Sequence, residues 1–153
     1  MIVDDELLKL NAVLSLQLAE YWHEVDTNGG RNAARFYTPD AEFHGPHASY
    51  YGVEKIDRFY EWRRERGARL SIHSFTNFRA QFTGDDTAEA TSFMFLYAAD
   101  GEKPLPSGPP ITVSLLIDKY ARAEDGRWLC TYRKFEHWFE GDTPVTNPNL
   151  DDE

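Results

Sequence analysis

Residues 66–82 read RGARLSIHSFTNFRAQF, and the hydrophobic period of the chain changes within this stretch. Before Gly67, apolar side chains recur at three- and four-residue steps, which is the pattern of amphipathic helices. After Gly67, apolar and polar side chains alternate, which is typical of strands. The chain therefore has a helical first part and a strand-rich second part, the order expected of an α+β domain.

Three helices and one short strand are predicted before Gly67. The helices cover residues 4–25, 31–37 and 53–66, and the strand covers residues 41–45. The first helix has one apolar stripe, formed by Leu7, Leu10, Leu14, Leu18, Tyr21 and Val25. A stripe of this kind favours packing of the helix on a core.

Four long strands are predicted after Gly67, over residues 70–82, 87–98, 111–122 and 128–139. Most of the turn signals between them are short, so neighbouring strands should pair antiparallel. The longer segment 100–110 could be a pocket lid or an ordinary exposed loop. Residues 140–153 are acidic, contain two prolines and are predicted to be a loose tail. We therefore expect a single domain over residues 1–139, followed by this tail.

Bulky side chains occupy both faces of the predicted strands. In the 70–82 strand, Ile72 and Phe78 are assigned to one face, whereas His73 and Phe75 are assigned to the other. A sheet that packs helices on one side usually leaves its other side polar. Apolar character on both faces therefore predicts a homo-oligomer, a dimer or a trimer, in which a second subunit covers the outer face.

The composition argues against nucleic acid and membranes as partners. Sixteen basic against 26 acidic side chains give a formal net charge of −10, which repels phosphate backbones. The one basic cluster is predicted to be a solvated helix end; it contains Arg63, Arg64, Arg66 and Arg69. No apolar run approaches the ~20 residues that span a bilayer.

Cysteine and histidine usage gives no sign of a metal or cofactor. The lone Cys130 can form no internal disulfide and has no CxxC partner for zinc. His44 and His47 are three apart in a Gly-Pro segment, but they lack a third ligand. The start of the chain is acidic and lacks the basic residues of a signal peptide. A cytoplasmic protein without metal or cofactor is the expectation.

Asp26 and His73 are the candidate catalytic residues. Asp26 lies at the end of the first predicted helix, and His73 lies inside the first long strand. A carboxylate that holds an imidazole fixes its tautomer and gives a proton-transferring base near neutral pH. The alternative is an ordinary histidine on a partly buried strand.

Five short segments occur in an order that is typical of one protein family. They are Tyr21-x-x-x-x-Asp26, residues 36–41, residues 52–56, His73 before Thr76-Asn77, and Gly126-Arg127-Trp128 with Arg133. Together they resemble the nuclear transport factor 2-like superfamily, in its polyketide-cyclase-like (SnoaL-like) and scytalone dehydratase-like branch. The resemblance covers about residues 10–139. It implies a cone-shaped, cystatin-like α+β fold, with three N-terminal helices packed on a curved, mostly antiparallel sheet.

The resemblance also implies roles for individual residues. Asp26 and His73 would form a catalytic pair in a conical pocket, and Tyr21, Trp22 and Arg133 would contact the substrate. The alternatives are a core position for Tyr21, packing for Trp22 and an ion pair with an acidic side chain for Arg133. The strand over residues 87–98 lacks the further histidine of the scytalone enzyme, so substrate identity does not transfer.

The expected function is that of a cofactor-independent lyase, isomerase or cyclase, which would remove a proton from a small apolar cyclic ligand. One alternative is a non-catalytic binding or assembly module, because the small subunits of aromatic-ring dioxygenases resemble the same architecture. Another is an epoxide hydrolase, in which Asp26, Asp118 and Arg133 would surround a water. A pocket without a close contact between Asp26 and His73 would favour the non-catalytic module.

Overall fold

A computed structural model describes all residues, 1–153, and shows an α+β domain. It contains two α-helices, α1 (Asp5–Asn28) and α2 (Val53–Glu65), and a short 3-10 helix (Ala33–Phe36). The six strands are β1 (Tyr37–His44), β2 (Ser49–Tyr51), β3 (Arg69–Phe82), β4 (Thr87–Asp100), β5 (Thr112–Arg122) and β6 (Trp128–Glu140). Neither α-helix combines the length and the apolar character that crossing a bilayer requires.

Helix α1 has a capping residue at its start, a glycine at its end and one apolar face. The Asp4 side chain accepts a hydrogen bond of 2.8 Å from the Leu7 N–H, which caps the first turn. Gly29 ends the helix in the left-handed region at φ 65°, where a residue without Cβ carries no strain. The predicted stripe is buried in the core from Leu10 onward, together with Trp22, and Leu7 is partly buried against it.

The second predicted helix, over residues 31–37, is wrong in type and length. Only Ala33–Phe36 is helical, as a single 3-10 turn, and Tyr37 already belongs to β1. Tyr37 pairs with Cys130 of β6, and this long-range contact outweighs the weak local preference of a seven-residue helix. Pro39 is tolerated in β1 because the ladder is interrupted between Tyr37 and Glu42. The domain therefore has two α-helices rather than three.

The strands form one curved sheet in the order β2-β1-β6-β5-β4-β3. All neighbours are antiparallel except β1 and β6, which are parallel. Helix α1 packs mainly on β3, and α2 packs on β1 and β2. The two helices and the sheet thus enclose a single core on the concave face.

A bulge in β3 changes which side chains share a face. The pairing with β4 shifts between Thr76 and Arg79, and Asn77 adopts a positive φ of 56°. Because the extra residue reverses the alternation, Phe75 and Phe78 both pack against the core, and their rings lie 6.1 Å apart. The predicted assignment of these two side chains to opposite faces is therefore wrong.

The outer face of the sheet is apolar over the middle strands. Ile72 and Tyr97 are paired across β3 and β4 and are 56% and 41% exposed. Phe93 makes an edge contact with Trp138, whose ring is more than half exposed. This outer face also contains the half-exposed side chains of Phe95, Val113, Leu115 and Ile117.

The prediction of a loose tail after residue 139 is wrong. Strand β6 continues to Glu140, and the last residues then pack against β2 and α2. Leu150 is buried in the core, and Asn147 accepts hydrogen bonds of 2.8 and 2.9 Å from the backbone N–H groups of His47 and Ala48. The acidic composition of the segment hid these contacts, because they depend on one leucine and one asparagine.

Candidate active site

A pocket opens between the concave face of the sheet and helix α2, with an empty volume of about 570 Å³ including its mouth. Most of its wall is apolar and aromatic. The apolar lining includes Trp22, Phe43, Phe59, Met94, Leu96 and Phe135. A concave site of this kind, with few polar groups, is typical of binding sites for small ring-containing molecules.

Asp26 lies behind His73, which lines this pocket, and is held there by three hydrogen bonds. Its Oδ1 accepts from the Ser71 hydroxyl at 2.9 Å and lies 2.7 Å from Nδ1 of His73, while its Oδ2 accepts from the His73 backbone N–H at 2.8 Å. Helix α1 delivers the carboxylate and strand β3 delivers all three partners. The predicted contact between the first helix and the first long strand is therefore present in the structure.

His73 presents its second ring nitrogen to the pocket. With Nδ1 engaged by Asp26, Nε2 has no protein partner, and the side chain lines the cavity while only 9% exposed. The indole of Trp22 stacks on the imidazole, with ring centroids 4.1 Å apart and planes 3° from parallel. This stacking fixes the ring plane, and Asp26 fixes the rotation within that plane.

Burial lowers the pKa of His73, although its hydrogen bond to Asp26 and the charge of Asp26 act in the opposite direction. The nearby charges of Arg63 and Arg69 lower the pKa further. The imidazole is therefore neutral at pH 7. An Nδ1–H that donates to the carboxylate leaves the Nε2 lone pair free to accept a proton.

Tyr21 lies behind the pocket wall rather than in it. Its hydroxyl contacts the hydroxyl of Tyr60 and accepts a hydrogen bond of 2.6 Å from Tyr37. Burial raises the pKa of Tyr21 well above its usual range, so the hydroxyl stays protonated. Tyr60, which sequence reasoning did not single out, is the tyrosine of this group that lines the cavity. The core position, which was the alternative for Tyr21, is what the structure shows.

Arg133 forms an ion pair with Asp118, which was the alternative to its contacting the substrate. Its Nε and Nη2 donate to the two carboxylate oxygens at 2.8 and 3.1 Å, and both side chains are only 2% exposed. Its Nη1 donates to the Tyr37 hydroxyl at 3.1 Å. Neither residue lines the pocket, so Asp26, Asp118 and Arg133 do not converge there as an epoxide hydrolase would require.

Two arginines of the predicted solvated helix end belong to the pocket instead. Arg63, in the last turn of α2, and Arg69, at the start of β3, both line the cavity together with His73. The Nε atom of each is buried without a hydrogen-bond partner. The sequence signal that could have found Arg63 is its position on the apolar face of α2, with Ile56, Phe59 and Tyr60.

Two segments distant in sequence meet in the lining of the pocket. Gly45 and Pro46 follow β1, and residues 145–147 belong to the C-terminal segment. A Cβ at Gly45 would lie 2.3 Å from Oδ1 of Asn147, so the close approach of the segments requires glycine there. The 100–110 segment is mostly exposed and does not line the cavity, so it is an exposed loop rather than a pocket lid.

His44 and His137 contact neighbouring side chains rather than a shared metal site. His44 Nδ1 lies 2.8 Å from the Ser49 hydroxyl, and His137, which lines the pocket, contacts Glu140 through Nδ1 at 2.8 Å. His47 is exposed. No three His, Cys, Asp or Glu side chains lie close enough together to hold a metal ion.

Several solved structures have the same fold as this chain. ActVI-ORFA from Streptomyces coelicolor has a TM-score of 0.71 at 21% identity, over 84% of this chain and 98% of the other. A protein of Novosphingobium aromaticivorans that is proposed to be a scytalone dehydratase has a TM-score of 0.77 at 17% identity, over 95% of both chains. A cystatin-like fold is also found among the similar structures. The predicted α+β, cystatin-like class is therefore confirmed.

One similar structure contains a ligand. A protein of Catenulispora acidiphila, solved in complex with S-DNPA, has a TM-score of 0.71 at 26% identity, over 85% of this chain and 94% of the other. No curated protein matches the chain significantly. The SnoaL-like domain family, in contrast, matches residues 5–134, which is most of the chain. This chain therefore belongs to the SnoaL-like domain family of the nuclear transport factor 2-like superfamily, as the order of its sequence segments predicted.

Proposed function

We propose that the protein is a cofactor-independent lyase of the dehydratase type, or an isomerase or cyclase that uses the same first step. The observation that carries the proposal is the 2.7 Å contact between Asp26 Oδ1 and His73 Nδ1. His73 lines the aromatic pocket, and its Nε2 has no protein partner there. Membership of a family whose name derives from a polyketide cyclase supports it.

His73 is the base in this proposal. Its Nε2 removes a proton from a carbon next to a carbonyl, so the C–H electron pair moves into an enolate. In a dehydration the enolate then expels a hydroxyl from the neighbouring carbon, and the same proton returns to that hydroxyl as water leaves. In an isomerisation the proton returns to another carbon. A positioned base of this kind contributes about 10² to 10⁴ in rate.

Asp26 is the orienting group in this proposal. Its hydrogen bond holds the imidazole with Nδ1 protonated, and its negative charge stabilises the imidazolium that forms when Nε2 takes the proton. The Ser71 hydroxyl and the His73 backbone N–H hold the carboxylate in turn. Tyr21 and Arg133 do not contact the substrate in this proposal. The Tyr21 hydroxyl contacts that of Tyr60, and Arg133 donates a hydrogen bond to the Tyr37 hydroxyl, so their role is to position neighbouring side chains.

The proposed ligand is a small ring-containing molecule. Trp22, Phe43 and Phe59 give flat apolar surfaces against which a ring can pack. The Catenulispora protein binds S-DNPA in a structure with the same fold, which supports a small-molecule ligand for this chain.

We further propose that the protein is a cytoplasmic homo-oligomer. The apolar outer face of the sheet offers a surface that a second copy of the chain would cover. The buried free thiol of Cys130 suits a reducing compartment. The non-catalytic module remains the rival proposal, and the close contact between Asp26 and His73 argues against it.

The test is enzyme-dependent exchange of carbon-bound protons. Purified protein is incubated in D₂O with 1-indanone, 1-tetralone and 2-tetralone, and loss of the proton next to the carbonyl is followed by ¹H NMR. We expect exchange by the wild type, and a loss of about 10²-fold or more in His73→Gln and Asp26→Asn. His23→Gln, an exposed histidine of α1, is the matched control and should match the wild type.

Thermal unfolding of each variant checks that the fold survives. Exchange that persists in a folded His73→Gln variant would remove His73 from the role of base. Co-purification with a larger subunit, in the absence of any exchange, would favour the assembly module.

A further inference from the structure

Arg63 is a cationic side chain in the pocket wall whose donors are unused. It makes no hydrogen bond and no ion pair with any protein group, and its Nε is buried without a partner. Its guanidinium carbon lies 5.9 Å from the ring centre of Phe59 and 5.8 Å from that of Tyr60. Neither contact uses a hydrogen-bond donor of the guanidinium, so its N–H groups remain free for a ligand.

Arg69 adds a second, partly used guanidinium to the same cavity. Its Nη1 pairs with Asp100 at 3.0 Å, and its side chain is only 9% exposed. Its Nε is buried and has no partner. A guanidinium that pairs through one nitrogen only has further donors that can point at a ligand.

No carboxylate of the chain forms a hydrogen bond or an ion pair with Arg63. Asp26 contributes to the electrostatic surroundings of Arg63, but both of its oxygens are already bonded to groups of β3. Burial lowers the pKa of Arg63, yet an arginine remains charged in proteins. Arg63 is partly buried and its buried Nε has no partner, so an anionic partner from outside the chain would recover part of the cost of leaving that donor unpaired.

We propose that the ligand of this pocket carries a carboxylate, which Arg63 and Arg69 bind, while its ring packs against Trp22 and Phe59. The inference rests on the proposed function in one respect, that this cavity is where the substrate binds. It narrows the substrate class from an apolar ring compound to a ring-bearing carboxylic acid.

A carboxylate fits the available donors better than a phosphate group does. The planar fork of a guanidinium matches the two oxygens of a carboxylate, and a single negative charge balances the one unpaired cation, Arg63. A phosphate dianion would bring a second charge and a third oxygen into a largely apolar cavity. An anchored carboxylate would also hold a neighbouring carbon in a fixed position relative to His73 Nε2.

The experiment compares two pairs of probes that differ only in charge. 1-Naphthylacetate is paired with 1-naphthylacetamide, and phenylacetate with phenylacetamide, and binding is measured by isothermal titration calorimetry at pH 7.5. For the wild type we expect the acid of at least one pair to bind about tenfold or more tightly than its amide. Equal affinities within both pairs, or no binding by any of the four probes, would overturn the inference.

Substitutions of single arginines then show which side chain causes the preference for the acid over the amide. Arg63→Gln should bind acid and amide about equally, and Arg69→Gln should reduce the preference. Arg66→Gln is the matched control, because Arg66 is an exposed arginine next to the same helix end and does not line the cavity. It should keep the preference of the wild type. An unchanged preference in folded Arg63→Gln would also overturn the inference, and the wild-type probe comparison stands even if that variant does not fold.

His73→Gln separates this inference from the proposed function. We expect this variant to retain the acid preference, because Arg63 and Arg69 remain in place. An acid preference with no proton exchange by the wild type would refute the proposed chemistry and leave the carboxylate site standing. Proton exchange by the wild type without a preference for the acid would refute the carboxylate site and leave the proposed chemistry standing.

Discussion

His73 is the residue on which the chemistry depends, and its protonation also affects the stability of the protein. Its folded-state pKa is below the ordinary value of 6.5, because burial disfavours the imidazolium. Between these two values the unfolded chain binds more protons than the folded protein. The contribution of His73 to the free energy of unfolding is therefore fully present above about pH 6.5 and is lost as the pH falls towards the folded-state pKa.

This dependence predicts a pH-sensitive difference between the wild type and His73→Gln. We expect the free energy of unfolding of the wild type, relative to that of the variant, to fall as the pH is lowered from 7.5 to 5. The carboxylates titrate in both proteins, so the difference isolates His73. Urea unfolding at a series of pH values measures it, and a difference that grows in acid would mean that the pKa of His73 is raised rather than lowered.

At the residue scale, the Asp26–His73 pair was predicted from the sequence, whereas the position of Arg63 in the pocket was not. The pair was predictable because Asp26 at the helix end and His73 in the first strand after Gly67 lie in segments that resemble a known family. Arg63 was missed because all four arginines near the helix end suit the helix dipole, and only its position on the apolar face of α2 distinguishes Arg63 from the others.

At the scale of single elements, the bulge at Asn77 determines the lining of the core. Before it, Ser71, His73 and Phe75 face inward, and after it Phe78 and Ala80 do. Strict alternation along β3 would have turned Phe78 and Ala80 outward. The positive φ of Asn77 is therefore a structural requirement of the strand.

The bulge gives a testable stability prediction. A β-branched residue at φ 56° is strained, so Asn77→Val should lower the free energy of unfolding by about 1–2 kcal/mol, whereas Asn77→Gly should be tolerated. Thr76→Val is the matched control, since Thr76 is exposed in the same strand and has no positive φ. Urea unfolding measures the three variants. Equal stability of Asn77→Val and Thr76→Val would show that the bulge relaxes without cost.

The elements themselves were largely predictable, with errors that have a common cause. Helices α1 and α2 and strands β3 to β6 follow from hydrophobic period and turn residues. The segment 31–37 was misjudged and strand β2 was missed because the 3-10 turn of four residues and the strand of three residues are too short to show a repeated hydrophobic pattern. In both cases pairing with distant strands decides the structure.

At the scale of the whole molecule, the outer face of the sheet predicts the oligomeric state. Ile72, Tyr97 and Trp138 lie on it, and each is more than two fifths exposed. A second copy would remove these side chains from water, at about 25 cal/mol for each Å² of apolar surface. We expect a dimer or a trimer in size-exclusion chromatography with light scattering at micromolar concentration.

Charge on that face should break the assembly. The double variant Ile72→Lys, Tyr97→Lys should elute as a folded monomer. Leu16→Lys, at a similarly exposed leucine of α1, is the matched control and should leave the oligomer intact. A monomeric wild type would contradict the proposed assembly, and dissociation by Leu16→Lys would place the interface on the helix instead.

The parallel pairing of β1 with β6 has a consequence for how the protein folds. Tyr37 pairs with Cys130, and the bond between His47 and Asn147 joins residues 100 positions apart. Contacts of such high sequence separation carry a large loop-closure entropy, whereas β3 to β6 form a meander of local hairpins. We expect the meander to appear early in refolding. Ligand binding should then appear only in the slowest kinetic phase, when the first and last segments of the chain meet.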